Sequence, residues 1–356
     1  MRRLLLPFSF LYWIVVWLRN WFFDKGILNI SKITIPVISV GNISTGGVGK
    51  TPVVEMLIEI LLTNKSIAIV SRGYGRKSKG LVVVSRGKGT IVAPEIAGDE
   101  SSQIAGKYTN AIVIVDENRV RAAQKAIELG ANIILLDDGF QHQYLHRDVN
   151  IVVLSAEEII QGDFLLPAGN RREPLRSLQR ADMLMISRCR SVEEFESAKK
   201  VLIRKLKCLE GKDYAHSFLK GEKIVAIQTT AKSLRDLMSK QQIEINSILN
   251  KRVVLFSGIG NPKSFEELVA NAGIIVARHL VFSDHHWFSE KEIQEIVDAK
   301  RQLNAEFILT TEKDAARLGQ QIKHLYNQEN ILVVIIQNKI IDGKAEFDKI
   351  LERFVN

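Results

Sequence analysis

The sequence predicts an α/β protein on a mainly parallel sheet. Short apolar runs alternate with helical stretches beyond Ile30, the pattern of strands crossed over by helices. The runs are apolar without a polar-facing alternation, as buried parallel strands require. Hydrophobic residues make up 46% and charged residues 25% of 356 positions, the ordinary globular balance, and the length suits roughly two domains. A disordered chain, a polytopic membrane protein and a disulfide-stapled mini-fold are excluded. Cys189 and Cys208 are the only cysteines. With no Cys/His cluster at metal-ligand spacing, they point to a reducing compartment and away from structural zinc.

The first element is a helix. Leu4 to Leu18 carries no charge, and Arg2, Arg3, Arg19, Lys25 and Lys32 face only Asp24. Fifteen residues rise about 22 Å, less than a hydrocarbon core of ~30 Å, so a full crossing is not expected. Trp13, Trp17 and Trp21 form one stripe at helical spacing, and tryptophan prefers the lipid headgroup level. No small-x-small cleavage pattern follows, which argues against a secretory signal. Residues 1–30 are therefore expected to form a membrane-associated helix.

Strands are expected at Pro36 to Val40, Ile67 to Val70, Ala111 to Val115, Ile133 to Leu136, Val149 to Leu154 and Met183 to Ile186, with helices at Lys50 to Leu62 and Asn118 to Leu129. A second series follows at Ile224 to Ile227, Val253 to Phe256, Ile274 to Val276, Phe307 to Leu309 and Leu332 to Ile336. These divide the chain into a first α/β domain over 31–215 and a smaller second one over 216–356, the boundary falling between Cys208 and Gly221.

The chemistry begins after the first strand. Ser44-Thr45-Gly46-Gly47-Val48-Gly49-Lys50-Thr51 follows a strand and opens a helix, the context of a phosphate-binding P-loop. Glycines let backbone N–H groups of Thr45, Gly46, Gly47, Val48 and Gly49 approach phosphate oxygens, and the helix N-terminus adds favourable partial charge. Lys50 would reach the β/γ-phosphates and Thr51 would bind Mg²⁺. Ser44 stands where the strict pattern has glycine. Asp137 and Asp138 end another apolar run. They either cap the turn at Asp138-Gly139 or, beside a phosphate loop, hold the metal.

Two common P-loop classes lose their signatures. The partitioning and nitrogenase-iron ATPases carry an additional lysine where this chain has Thr45. The Asn-Lys-x-Asp of GTPases is missing, since Asn338-Lys339-Ile340-Ile341-Asp342 is one residue too long. Asp99 and Glu100 follow Gly98 at the start of an expected helix, where an acidic first turn would contribute about 0.3–1 kcal/mol through the helix dipole alone.

The remaining motifs, taken in order, resemble those of the tetraacyldisaccharide 4′-kinases of lipid A synthesis. They are Ser39-Val40-Gly41-Asn42, Ser71-Arg72-Gly73-Tyr74-Gly75-Arg76, Gly98-Asp99-Glu100, Asp137-Asp138-Gly139-Phe140-Gln141-His142, Leu165-Leu166-Pro167-Ala168-Gly169 with Arg172-Glu173, Asp284-His285-His286 and Thr311-Glu312-Lys313-Asp314. The apolar N-terminal helix and a serine at the position of Ser44 match as well. No motif apart from the loop is diagnostic alone; their joint order is.

The resemblance implies transfer of the ATP γ-phosphate to the 4′-hydroxyl of an acylated glucosamine disaccharide 1-phosphate, with ATP and Mg²⁺ as cofactors. It implies Asp99 as acceptor of the hydroxyl proton, Glu100 near the metal with Thr51 and Asp138, and His285 supporting Asp99, with His286 as the alternative. On charge, Arg72, Arg76, Arg171 and Arg172 are candidate contacts to substrate phosphate, and Tyr74, Gln141 and Asn42 are weaker candidates placed near the loop. The place implied is the cytoplasmic face of the bacterial inner membrane, peripheral or anchored by the N-terminal helix. There 49 basic against 40 acidic residues, a formal +9, favour an anionic leaflet and an anionic lipid substrate. No nucleic acid and no obligate protein partner is expected. The rival is a membrane-tethered P-loop ATPase acting as a switch or assembly factor, which would hydrolyse ATP without a lipid acceptor.

Overall fold

The structure, a computed structural model, describes residues 2–209, 218, 220–284, 286–318 and 329–355. It divides into two compact units, residues 1–228 with 339–356, and residues 229–338.

The first unit opens with helix α1 (Leu6–Asp24) and then alternates strand and helix: β1 (Val37–Gly41), α2 (Lys50–Leu61), β2 (Ile67–Ser71), β3 (Val82–Arg86), α3 (Pro94–Ala97), α4 (Asp99–Lys107), β4 (Ile112–Val115), α5 (Arg119–Glu128), β5 (Ile133–Asp137), β6 (Val149–Ser155), α6 (Ala156–Gln161), β7 (Met183–Ser187), α7 (Val192–Lys207) and the start of β8 (Ile224–Asp236). The spatial order is β8-β7-β6-β1-β5-β2-β4-β3. Every pairing is parallel except that of β3 on β4.

Successive strand residues enter opposite cores, as a pleat covered on both faces demands. Ile67, Ile69, Ile133 and Leu135 join Val53, Leu57 and Ile58 of α2 on one face. Ala68, Val70, Ile134 and Leu136 join Ala122 and Ala126 of α5 on the other. Leu57 and Phe195 are fully buried, each worth roughly 1.5–3 kcal/mol of transfer free energy.

In the second unit, β9 (Gln242–Ile243) pairs antiparallel with β8, and β10 (Arg252–Ser257), α8 (Pro262–Asn271), β11 (Ile275–Val281), α9 (Glu290–Gln302), β12 (Phe307–Thr311), α10 (Glu312–Arg317) and β13 (Ile331–Asp342) follow. Its parallel order is β11-β10-β12-β13. Val254 and Phe256 pack with Ile293 and Ile296 of α9, while Val253 and Leu255 pack with Phe265 and Val269 of α8.

The last helix, α11 (Lys344–Val355), belongs to the first unit, because Phe347, Leu351 and Phe354 enter the core built on α2. The sequence boundary at 215/216 lies outside the described residues. The contacts divide the chain at 228/229 and again at 338/339 instead.

Helix α1 is amphipathic in an unusual sense. Ser9, Val16 and Phe23 are buried, while Phe8, Leu11, Val15, Trp17 and Trp21 are exposed. Trp13, Trp17 and Trp21 stack in series with centroids 6.5 Å apart. Among the described residues no helix is long and apolar enough to cross a membrane.

Candidate active site

The loop after β1 is held from several sides. Gly46 and Gly49 have φ of 106° and 90°, a region that favours glycine. Gly49 also stands at the N-cap of α2 without a side-chain cap bond, so the first N–H groups of the helix are presented to an anion. Thr45 N donates to Asn170 O at 2.7 Å, Asn42 Nδ2 to Ser44 O at 2.8 Å, and Ser187 Oγ to Val48 O at 2.6 Å. Ser44, the departure from the strict pattern, donates from Oγ to Glu158 Oε1 at 2.7 Å. Its hydroxyl anchors the loop where glycine could not.

Charges converge beside that loop. Lys50 Nζ lies 3.3 Å from Asp138 Oδ1 and donates to Asn42 Oδ1 at 3.2 Å. Arg172 Nη1 donates to the other Asp138 oxygen at 2.9 Å. Burial raises the Asp138 pKa, but Lys50 and Arg172 outweigh it and hold the carboxyl below its ordinary value. Asp138 is the first residue past β5 and has φ of 51°. The next turn lies against β1, where a Cβ on Gly139 would come within 2.5 Å of Ser39 Oγ. Gln141 Nε2 donates to Asn42 O at 2.8 Å, so the Asp138–Gln141 turn and the loop entrance form one assembly.

Thr51 Oγ1 donates to Glu100 Oε1 at 3.3 Å, bringing the start of α4 to the start of α2. Gly98 precedes α4 with φ of 86°, and a Cβ there would lie 2.8 Å from Tyr74 O. The Ser71–Arg76 segment therefore packs directly on the turn that presents Asp99 and Glu100. Ser71 Oγ and Ser101 Oγ share a hydrogen bond of 2.9 Å. Asp99 is half-buried, and Arg72 and Tyr74 are exposed. Arg76, by contrast, donates to Glu117 Oε1 at 2.6 Å and to Gly80 O at 2.8 Å; it is a structural clamp on its own loop.

His285 lies outside the described residues. His286 shares a hydrogen bond of 2.9 Å between Nε2 and Glu292 Oε1, and its ring stacks on Phe282. Arg171 pairs as an isolated bridge with Ser44. Three groups escaped the sequence reading. Arg119 is buried, and its charge acts on the region of Arg72, Asp137 and Asp138. Glu158 and Ser187 hold the phosphate loop from 114 and 139 residues away, with no local signal beyond their places in the first turn of α6 and at the end of β7.

Arg172 and Glu173 link this site to α1. Tyr12 OH donates to Arg172 O at 3.0 Å. The fully buried Glu173 carboxylate meets Arg180 at 2.5 Å and Arg19 at 3.2 Å. Burial raises the Glu173 pKa, but the two arginines overcome it and keep the group ionised. Ser9 Oγ donates to Leu165 O at 2.9 Å and accepts from Ala168 N at 3.0 Å.

The family model for tetraacyldisaccharide-1-P 4′-kinase, LpxK, matches residues 1–356. The chain belongs to this family. A tetraacyldisaccharide 4′-kinase from Chlorobaculum parvum is 36% identical over 355 residues, covering 97% of this chain and 93% of that protein. One from Aquifex aeolicus is 37% identical over 323 residues, covering 89% and 90%. A crystal structure described as the "apo" form of LpxK from Aquifex aeolicus in complex with ATP superposes with a TM-score of 0.77 at 33% identity, over 100% of this chain and 99% of that one. Membership in the 4′-kinase family accords with a phosphate loop whose lysine, threonine and neighbouring carboxylates are already gathered at one edge of the sheet.

Proposed function

We propose that this protein is an ATP-dependent lipid kinase. It transfers the γ-phosphate to the 4′-hydroxyl of a tetraacyl glucosamine disaccharide 1-phosphate, in keeping with a family named for a tetraacyldisaccharide 1-phosphate acceptor. The observation that carries the reading is the gathering of Lys50, Asp138 and Arg172 beside the loop, with Thr51 meeting Glu100 at 3.3 Å. Phosphoryl transfer needs positioning and charge neutralisation more than covalent chemistry. Backbone N–H groups of Gly46 to Thr51 bind phosphate oxygens, and Lys50 exchanges its bond to Asp138 for the β/γ-phosphates.

Thr51 Oγ1, Glu100 and Asp138 are hard oxygen donors, the chemistry that suits Mg²⁺, which takes one or two protein oxygens and completes its shell with water and phosphate. When bound there, Mg²⁺ would neutralise phosphate charge. Among the described residues no group of three or more His, Cys, Asp or Glu side chains could hold a metal by itself, so nucleotide oxygens belong to the site. Asp99, at the first turn of α4, accepts the hydroxyl proton as general base. Arg72, Tyr74, Gln141 and Arg172 orient the acceptor.

The exposed aromatic stripe of α1 and the net charge of +9 support peripheral attachment to an anionic membrane, where an acylated acceptor resides. The deciding experiment is transfer of labelled phosphate from ATP to a lipid A precursor in detergent micelles. Acceptor-dependent label in the lipid is expected. ATP hydrolysis that proceeds equally without acceptor would replace the kinase with a switch.

A further inference from the structure

Asn42 is the first residue past β1, the strand that lies between β5 and β6 in the middle of the first unit's sheet. The end of that strand is crowded. A Cβ on Gly41 would come within 2.5 Å of Phe140 Cβ, so the turn that follows Asp138 runs directly against the backbone entering the phosphate loop. Asn42 is fully buried there. A buried amide must pair its donor and its acceptor or carry the cost of leaving them unmatched.

Three polar groups of this residue reach three parts of the site. Nδ2 donates to Ser44 O at 2.8 Å, at the start of the loop. Oδ1 accepts from Lys50 Nζ at 3.2 Å. The main-chain carbonyl accepts from Gln141 Nε2 at 2.8 Å. These partners fix the orientation of the side-chain amide, because the reverse would set its N–H groups against an ammonium and its oxygen against a carbonyl. Buried in this way, Asn42 is closed to substrate, and the functional group it touches is Lys50. The ammonium carries three donors, one on Asn42 and another facing Asp138 Oδ1 at 3.3 Å. The two acceptors differ in kind: Asp138 is charged, whereas Asn42 is neutral and directs the ammonium without neutralising it.

We propose that Asn42 is a positioning residue for phosphoryl transfer, its side-chain oxygen aiming Lys50 while its N–H fixes the loop at Ser44. The proposal deepens the ATP-dependent reading above and rests on it. When Lys50 leaves Asp138 for the β/γ-phosphates, Asn42 keeps its hold, so the cation meets the transferring charge from a place set beforehand. Alanine at this position leaves Ser44 O without its donor and Lys50 directed by Asp138 alone. Aspartate keeps an oxygen for Lys50, but it loses the donor to Ser44 O and sets a second carboxylate on the ammonium.

The experiment measures transfer of labelled phosphate from ATP, first by the wild type and by Lys50→Ala, so failure of the ATP-dependent reading shows before Asn42 is changed. Asn42→Ala is expected to lower kcat by about 10- to 100-fold, the range for one hydrogen bond to a charged group. The KM for ATP should move by less than about threefold. In a Lys50→Ala background the same substitution should cost less than about threefold in kcat, because the group it directs is gone. A merely structural asparagine would give the same factor in both backgrounds. That outcome overturns the proposal, as does an unchanged kcat in folded Asn42→Ala. Should the alanine variant fail to fold, Asn42→Asp decides, since it keeps the size of the side chain and places its charge against Lys50. It should lose at least about tenfold in kcat with a melting temperature within a few degrees of wild type; a near-wild-type kcat would show that no neutral acceptor is required and overturn the proposal.

Discussion

Lys50→Ala separates catalysis from folding, and the structure sets both magnitudes. The ammonium group contacts Asn42 and Asp138 at 3.2 and 3.3 Å. The Asp138 side chain is 36% exposed and keeps Arg172 at 2.9 Å after the substitution. A half-solvated pair of this kind is worth about 1 kcal/mol at most, or a melting shift of roughly 2–4 °C for a unit of this size. The same charge stabilises a transferring phosphoryl group in a site with less water, where losing one preorganised electrostatic contact costs ~10²–10³ in rate, about 2.7–4 kcal/mol. Labelled-phosphate transfer and a thermal melt on the same preparation should therefore give a loss of at least about 100-fold in kcat with a nearly unchanged melting temperature. The Asp138 pKa also rises in the variant, since burial is then opposed by Arg172 without Lys50. A folded Lys50→Ala enzyme retaining more than about a tenth of wild-type transfer would remove the loop from the reasoning.

Asp99→Asn should lower kcat by ~10²–10⁴ with the KM for ATP little changed; repair by excess Mg²⁺ would make Asp99 a metal ligand instead of the base. Glu173→Ala strands the buried Arg180 and should cost about 3–5 kcal/mol in urea unfolding, whereas a loss below ~1 kcal/mol would mean that the buried network is already dispensable. Burial, then Arg119 and Arg147, push the His142 pKa from 6.5 down to about 4. The unfolded chain therefore binds more protons in that window, stability falls as pH drops from about 6.5 to about 4, and His142→Asn should flatten the fall; parallel pH profiles would sink the assignment. Replacing Trp13, Trp17 and Trp21 together by serine should reduce co-sedimentation with anionic vesicles while leaving the melting temperature within a few degrees; undiminished binding would place the membrane contact elsewhere.

What the sequence made legible was local. The strand–loop–helix around Gly46 to Thr51 is written in consecutive residues, and the apolar strands β1, β2 and β5 declare themselves because both faces are buried. Strand β3 escaped because it is half-exposed and exists through antiparallel pairing with β4. Strand β8 was expected at Ile224 to Ile227 yet runs to Asp236 through a mostly polar stretch, with Leu234 and Arg235 near its end paired to β9. The fate of Arg76 was equally out of reach: an arginine in a glycine-rich loop reads as a phosphate contact, and only the approach of Glu117 shows otherwise. Ser44 reads as a defect in the motif until Glu158 arrives from the far side of β6.

Arg172 and Glu173 change how the N-terminal helix must be tested. Adjacent in sequence, they face two tasks at once. The Arg172 side chain meets Asp138 in the site while its carbonyl accepts from Tyr12, and Glu173 takes Arg19 and Arg180 into the interior. The same turn of α1 places Ser9 on Leu165 and Ala168, and Phe23 sits edge-on to Tyr144 at 4.9 Å. The buried face of α1 is therefore part of the first unit's structure. Deleting residues 1–23 would expose Glu173 with one cation fewer and remove a hydrogen bond from the Arg172 backbone, so lost activity on a membrane-embedded acceptor would not by itself report lost membrane affinity. The exposed stripe does not share this ambiguity, because Trp13, Trp17 and Trp21 stack mainly on one another and on Phe10 and Phe22. Substitution there removes interfacial aromatic surface while Ser9, Tyr12, Val16, Arg19 and Phe23 continue to hold the helix in place.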